Sequence, residues 1–85
     1  MSDQPSLTPT QKRILRFFYE QPHAVETVRG LATWLSVESQ VAQEALNGLV
    51  IRKWLLTHQT VAVIGYALTD DDQLLIQIEE AMEKP

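Results

Sequence analysis

Few side chains in this chain are suited to catalysis or to metal binding, and their spacing supports neither. His23 and His58 lie 35 residues apart and form no His-x-x-x-His pair, so a zinc site is not predicted. The chain contains no cysteine, which excludes thiolate nucleophiles, disulfide bonds and cysteine-based metal sites. The adjacent acids Asp70, Asp71 and Asp72 suit the start of a helix, because carboxylates there complement the positive end of the helix dipole.

The motifs that bind phosphate or activate a serine are also missing from the sequence. Gly30, Gly48 and Gly65 stand far apart and form no glycine-rich phosphate loop. No serine lies in a Gly-x-Ser-x-Gly pattern, the sharp turn that exposes the nucleophile of many hydrolases. A chain this short also has little room for a desolvated catalytic pocket. We therefore expect a binding protein that is not an enzyme and that uses no cofactor and no metal.

The size of the chain allows one domain with a modest core. It has 85 residues, of which 45% are hydrophobic. A domain of this size buries about 60–65% of its unfolded surface, so partners are expected to add to its stability. The sequence has no run of about 18 apolar residues that would span a membrane, and residues 1–5 lack the blocks of a signal peptide. We therefore expect a cytoplasmic location and no membrane partner.

The net charge of −4 is unevenly distributed along the chain. Residues 1–58 carry six basic and five acidic side chains, whereas residues 59–85 carry one basic and six acidic side chains. A strongly basic stretch, the usual electrostatic signature of nucleic-acid binding, is missing. The body of the chain is therefore close to neutral, and its last element is acidic.

The hydrophobic pattern predicts a mainly α-helical domain over residues 8–85, after a flexible N-terminal arm at residues 1–7. The first helix is predicted over about residues 9–20, with Thr8 as its N-cap and Pro9 at its first position, and Gln11 completes the spacing of a capping box. Its apolar side chains recur at helical spacing and form one stripe. This stripe is expected to face the core.

Two more helices are predicted on either side of a short turn. A brief strand is expected near residues 23–26, and Thr27 then caps a second helix that ends at Ser36. A third helix is predicted from about residue 38 to residue 52, with Val41 among its inward-facing residues.

The sequence pattern changes from helical to extended beyond Lys53. Residues 54–60 and 61–68 are rich in β-branched and aromatic side chains and predict a small β-hairpin. Thr69 is then expected to cap a C-terminal helix over residues 70–83, with an apolar stripe and an acidic outer face.

This order of elements resembles the winged helix-turn-helix fold, which has a three-helix core, a two-stranded wing and a C-terminal helix. Two motifs between residues 31 and 69 support the resemblance. The first is similar to the core pattern of bacterial transcription regulators of the MarR-like and ArsR-like kinds, and it reads Leu31-Ala32-x-x-Leu35-x-Val37 and then Ala45-Leu46-x-x-Leu49. The second is similar to the Tyr-x-Leu-Thr that ends the wing in that superfamily, and it reads Tyr66-Ala67-Leu68-Thr69. The resemblance implies a DNA-binding transcription regulator.

The resemblance also implies which residues contact double-stranded DNA. In DNA-binding members the second helix of the motif enters the major groove, and side chains near its start contact base edges. Carried over to this sequence, base reading falls on Gln40, Gln43 and Asn47, since amide side chains pair well with adenine. The residues expected to hold the phosphate backbone are Arg29, Ser39, Arg52 and Lys53.

Two departures from the family pattern predict weak DNA binding by a single subunit. Glu44 stands where relatives often have a phosphate-compatible residue, and the wing tip at residues 60–64 carries no Lys or Arg. Because phosphate neutralisation supplies most non-specific affinity, a homodimer is expected to bind more usefully than a monomer. The apolar residues of the last helix are predicted to cover the core and to contact a second subunit, and they are Leu74, Leu75, Ile78 and Met82.

The apolar wing supports a second interpretation, namely a winged-helix protein-interaction module that serves as an adaptor or complex subunit. Val61, Val63 and Ile64 cannot all face inward, because successive strand side chains alternate between faces. Exposed apolar clusters tend to mark protein contacts, so Val61 and Val63 are candidate partner contacts, together with the acidic last helix. Trp34 and Trp54 are expected to be ordinary core aromatics.

Overall fold

The computed structural model describes residues 7–83, which form four helices and three strands. In chain order the elements are α1 (Pro9–Glu20), β1 (Val25–Thr27), α2 (Val28–Leu35), α3 (Ser39–Ile51), β2 (Leu55–Gln59), β3 (Ile64–Leu68) and α4 (Asp72–Glu83). Of the arm predicted at residues 1–7, only Leu7 lies in the described range, where it packs against the core. The rest of that prediction lies outside the described residues.

The predicted capping box at the start of α1 is present, and it also ties α1 to α3. Thr8 Oγ1 accepts a hydrogen bond from the Gln11 N–H at 3.1 Å, and Gln11 Oε1 accepts one from the Thr8 N–H at 3.0 Å. Gln11 Nε2 also donates to the Ala45 carbonyl at 3.3 Å. Gly48 leaves room for this contact, because a Cβ there would lie 2.5 Å from Gln11 Nε2. A local cap therefore also helps to place the third helix.

The turn between α2 and α3 depends on one residue in the left-handed conformation. Thr27 caps the start of α2 as predicted, and α2 ends at Ser36, whose φ is 60° and ψ 45°. The Ser36 N–H donates to the Thr33 carbonyl at 3.2 Å, and the Val37 N–H donates to the Ala32 carbonyl at 3.0 Å. These bonds satisfy carbonyls in the last turn of α2 and direct the chain sharply into α3.

Changing Ser36 is expected to alter stability according to the new side chain. Ser36→Gly is expected to raise the free energy of unfolding by about 0.5–1 kcal/mol, because glycine adopts a positive φ without steric cost. Ser36→Val is expected to lower it by about 1 kcal/mol or more, because a β-branched side chain is poorly tolerated there. Chemical denaturation of both variants measures the difference. Equal stability of the two variants would contradict a left-handed turn at this position.

The three strands form one antiparallel sheet in the order β1-β3-β2. β2 and β3 pair from Leu55↔Leu68 to Gln59↔Ile64 and form the wing predicted from the sequence. Both strands are shorter than predicted, because residues 60–63 form the turn at the wing tip. The brief strand expected near residues 23–26 is β1, which pairs with β3. The wing is therefore a hairpin that a third strand anchors to the start of α2.

The core lies between α1, α2, α3, α4 and the wing strands, and two sequence predictions about it are wrong. Trp34 is 64% exposed and contacts Phe17 edge to face, with ring centroids 5.3 Å apart. It lies beside the buried face of α2, which is formed by other residues of that helix. Val41 is 40% exposed, because the buried face of α3 begins one residue later. Trp54 is buried as predicted. The largest fully buried side chains are Ile14, Leu15, Phe18, Leu31, Leu46, Leu49, Leu55 and Ile78.

The C-terminal helix begins two residues later than predicted, and Asp71 caps it in place of Thr69. Asp71 Oδ1 accepts hydrogen bonds from the N–H groups of Gln73 at 2.9 Å and Leu74 at 3.2 Å. Thr69 Oγ1 accepts from the Asp71 N–H at 3.2 Å and so belongs to the preceding loop. A carboxylate makes the stronger cap, because its charge adds to the hydrogen bonds at the positive end of the helix dipole.

Candidate nucleic-acid interface

One side of α3 is a polar ridge that is open to solvent. Ser39, Gln40 and Asn47 are exposed, and Gln43 is partly buried. The residues predicted to read bases therefore share an outward side of the helix. The opposite side of α3 packs into the core through Ala42, Ala45, Leu46 and Leu49.

Gln43 is the member of this ridge that the fold holds in place. Its Nε2 donates to Asn47 Oδ1 at 2.9 Å, one helical turn further along α3. The same Nε2 donates to the Tyr66 hydroxyl at 3.1 Å. Tyr66 lies on β3 and is buried, so this second bond links α3 to the wing. The amide of Gln43 is therefore oriented before any ligand is bound.

A groove runs between the wing and the helices. Its volume is about 710 Å³, and it is open to solvent. Residues 59–64 and Tyr66 line it on the wing side, whereas Arg29 and Gln43 line it on the helical side. Arg29 is exposed on the first turn of α2. The groove thus brings together one residue predicted to bind phosphate and one predicted to read a base.

Arg52 and Lys53 lie at the opposite end of α3 from Ser39. The helix has 13 residues, so a rise of about 1.5 Å per residue puts its two ends about 18 Å apart. The Arg52 guanidinium lies over the ring of Trp54, 5.0 Å from its centroid. Lys53 is exposed and has a positive φ of 66°. The predicted phosphate contacts are therefore distributed along the helix and not gathered into one cluster.

Two exposed carboxylates stand on α3 among the predicted DNA contacts. Glu38 is the N-cap residue, but its side chain makes no capping hydrogen bond. Glu44 is exposed one turn from both Gln40 and Asn47. Like charges repel, so both carboxylates oppose a nearby phosphate. The ridge therefore combines amides that can form hydrogen bonds with two negative charges that disfavour a nearby phosphate.

The apolar stripe of α4 covers the domain's own core. Ile78, predicted as a subunit contact, is fully buried and is not available to a partner in this fold. Leu74, Leu75 and Met82 are partly buried and pack against the same core. Ile76 is the exposed large hydrophobic residue of this helix, and it lies outside the predicted stripe.

The wing tip presents apolar side chains on a well-braced turn. Val61 is fully exposed, and Val63 and Ile64 are about half exposed. Thr60 Oγ1 accepts hydrogen bonds from the N–H groups of Ala62 at 3.4 Å and Val63 at 3.1 Å. The Thr60 N–H donates to the Val63 carbonyl at 2.9 Å. The expectation that at least one wing valine or isoleucine lies at the surface is confirmed.

α1 and α4 are joined at the surface by a hydrogen bond from the Tyr19 hydroxyl to the Glu79 carboxylate. This bond, with smaller contributions from desolvation and from the charges of Glu79 and Glu83, raises the pKa of Tyr19 above its usual 10.0. Tyr19 is not among the residues that line the groove. It therefore provides a phenol hydroxyl outside the candidate interface.

Sequence reasoning misses the connection between Tyr66 and the base-reading residues. Tyr66 belongs to the motif that ends the wing, but it lies 23 residues from Gln43 in the chain. Only the tertiary fold, in which α3 packs against the neighbouring wing strand β2, brings the two side chains together. The usable signal in the sequence is chemical, because a tyrosine in a buried strand needs a hydrogen-bond partner for its hydroxyl.

The described part of the chain contains no cluster of three or more His, Cys, Asp or Glu side chains that could hold a metal ion. Within residues 7–83, no helix combines the length and the apolar composition that crossing a bilayer requires.

The chain is similar to several solved structures. YusO from Bacillus subtilis matches with a TM-score of 0.72 and 22% identity, over 89% of this chain and 53% of that one. A variant of ZitR from Lactococcus lactis matches with a TM-score of 0.69 and 24% identity, over 94% of this chain and 53% of that one. The adhesin competence repressor AdcR from Streptococcus pyogenes matches with a TM-score of 0.67 and 22% identity, over 87% and 56%.

These similarities show that the chain has a winged helix-turn-helix fold, as the sequence resemblance implies. Among the neighbours, AdcR is a repressor, and Tm0710 from Thermotoga maritima is a transcriptional regulator. The chain spans about half the length of the three structures described above. No protein-family model matches the chain, and no curated protein matches it in sequence.

Proposed function

We propose that this chain is a DNA-binding, transcription-regulator-like domain whose helix α3 enters the major groove of duplex DNA. The observation that carries the proposal is the open ridge of Gln40, Gln43 and Asn47 on a helix whose other side is packed. Amide side chains offer the donor and acceptor pairs that base edges require. An α-helix about 10–12 Å across fits a major groove about 12 Å wide.

Phosphate contacts are assigned to Arg29 beside the groove, to Ser39 at the start of α3, and to Arg52 and Lys53 at its end. Each neutralised phosphate contributes about −0.9 to the slope of log affinity against log salt concentration. Three cations therefore supply a slope of about −3 for one subunit, which corresponds to weak binding. A second copy doubles these contacts, so we propose that the functional species is a homodimer. As a DNA-binding protein it acts in the cytoplasm and catalyses no reaction.

A salt titration of binding to random-sequence duplex DNA tests this proposal. We expect fluorescence anisotropy to show binding at about 50 mM salt and a steep loss of affinity by about 200 mM. A slope near −3 indicates one bound subunit, and a slope near −6 indicates two. The absence of binding even at the lowest salt concentration would contradict DNA binding.

A protein-interaction module is the second candidate, and the wing tip is the observation that favours it. Val61 is fully exposed on a turn braced by Thr60, and residues 60–64 carry no cation to contact a phosphate. The acidic outer side of α4, with Glu79, Glu80 and Glu83 exposed, suits a basic protein partner better than DNA. This candidate predicts no binding to random duplex DNA in the same titration.

A further inference from the structure

We propose that Tyr66 is a positioning residue that determines the sequence specificity of the interface. Its hydroxyl holds the Gln43 amide with Nε2 turned toward the protein, so that Oε1 is presented to the DNA. Gln43 then recognises a base that donates a hydrogen bond into the major groove. This inference rests on the proposed DNA-binding function and names the base chemistry that the same site selects.

The first step is the hydrogen bonding of the Gln43 amide. A primary amide nitrogen carries two hydrogens, and its oxygen only accepts. Gln43 Nε2 donates to Asn47 Oδ1 at 2.9 Å and to the Tyr66 hydroxyl at 3.1 Å, so both hydrogens are used within the protein. Gln43 also lines the open groove beside the wing. The carbonyl oxygen is thus the atom of this amide that remains for a ligand.

The second step is the rigidity of Tyr66, whose hydroxyl holds the Gln43 amide. Tyr66 is only 5% exposed, and its backbone lies in the central strand of the sheet. It pairs with Glu26 of β1 on one side and with Thr57 of β2 on the other. The paired strands on both sides hold the backbone of Tyr66, and burial holds its ring. The ring therefore cannot change rotamer when a ligand binds. The orientation of Gln43 is therefore set by the protein before DNA binds.

The third step is the donor and acceptor pattern of the major groove. Adenine N6 and cytosine N4 are donors there, whereas guanine and thymine present oxygen or nitrogen acceptors. An unconstrained glutamine pairs with adenine through both N6 and N7, but here the second half of that pair is blocked because Nε2 is engaged. We expect adenine or cytosine to be preferred over guanine or thymine at this position by about three- to tenfold, the effect of one hydrogen bond.

Selection from a library of randomised duplexes tests the inference with four proteins. Wild type is expected to enrich adenine or cytosine at one position, and Gln43→Ala is expected to lose that preference. Tyr66→Phe keeps the buried ring but frees one hydrogen of Gln43 Nε2. The base preference of this variant is expected to narrow to adenine, because the freed Nε2 can then donate to adenine N7. Tyr19→Phe is the matched control, because it removes a phenol hydroxyl at the contact between α1 and α4, and it is expected to select as wild type does.

Base analogues at the selected position provide a second measurement that does not depend on a variant. A duplex with 7-deazaadenine, which lacks the N7 acceptor, is expected to bind wild type as tightly as one with adenine. The same change is expected to weaken Tyr66→Phe by about three- to tenfold, because the freed Nε2 then contacts N7. Affinity for random duplex DNA is expected to be equal in both proteins, since the phosphate contacts are unchanged.

Two results would overturn the role of Tyr66 while leaving DNA binding intact. One is selection of guanine or thymine at the position that depends on Gln43. The other is a loss of wild-type affinity with 7-deazaadenine, which remains decisive even if Tyr66→Phe fails to fold. If wild type binds no duplex at all, the proposed function fails and this inference fails with it. A thermal unfolding curve for each variant establishes that the selected proteins are folded.

Discussion

Alanine at Arg29, Arg52 and Lys53 together is expected to weaken binding to random duplex DNA about a hundredfold for each bound subunit near 0.15 M salt. Each cation that neutralises a phosphate releases counterions, so three lost contacts reduce the slope of log affinity against log salt by about 3 in each subunit. Anisotropy titrations of wild type and variant at several salt concentrations measure both quantities. Base preference is expected to be unchanged, because phosphate contacts carry no direct sequence information.

The control for this variant must separate the local phosphate contacts from a change in overall charge. Arg16 is exposed on α1, outside α3 and the wing, so Arg16→Ala loses one cation without touching the ridge or the groove. It is expected to bind DNA nearly as wild type does, whereas Arg29→Ala alone is expected to weaken DNA binding about fivefold for each bound subunit. Arg52 also packs over Trp54, so urea denaturation must show that the triple variant is folded. If the folded triple variant keeps wild-type affinity and salt dependence, the docking of α3 proposed above is wrong.

Phe18→Ala is expected to lower the free energy of unfolding by about 4 kcal/mol, the cost of a large cavity in a packed core. Phe18 is fully buried, and its ring meets Phe17 edge to face with centroids 5.2 Å apart. An 85-residue domain has a total stability of only about 4–13 kcal/mol, so this loss is a large fraction of the whole. Urea denaturation followed by circular dichroism measures it. DNA binding is expected to fall only in proportion to the unfolded fraction, because α3 keeps its position while the core stays folded.

Ile51→Ala is the matched apolar control for this core variant. Ile51 is the last residue of α3 and is 80% exposed, so little apolar contact is lost when it is truncated. Its effect on the free energy of unfolding is expected to stay within about 0.5 kcal/mol. A loss below about 1 kcal/mol for Phe18→Ala, or similar losses for the two variants, would contradict the described core.

The helix boundaries were largely predictable because their signals act between neighbouring residues. Thr8 and Gln11 form the predicted capping box, and Ser36 ends α2 where the apolar spacing stops. The start of α4 is harder to predict because two residues compete as caps. The Asp71 carboxylate accepts two hydrogen bonds from the first turn of the helix, while Thr69 braces the loop. The spacing of apolar residues does not show which of two nearby residues caps a helix.

Burial at the margins of the amphipathic helices was less predictable. The periodicity of α2 does not distinguish a core position from one beside it, and Trp34 proves to be largely exposed against Phe17. Ile78 was expected to contact a second subunit, but α1 and the rest of the core cover it completely. Which side of a stripe is covered depends on how neighbouring elements pack, and that information is not local.

The amino-acid sequence by itself determined the order of elements, the winged-helix resemblance and the polar positions of α3, because caps and apolar periodicity operate within about four residues. The tertiary structure alone decided which of those positions are exposed and which are held by contacts with the rest of the fold. Tyr66 reaches Gln43 only after β3 has paired on both sides and α3 has packed against β2, and Arg29 joins the groove only because β1 links α2 to the wing. These contacts join residues far apart in the chain, so they form only when several elements have taken their places.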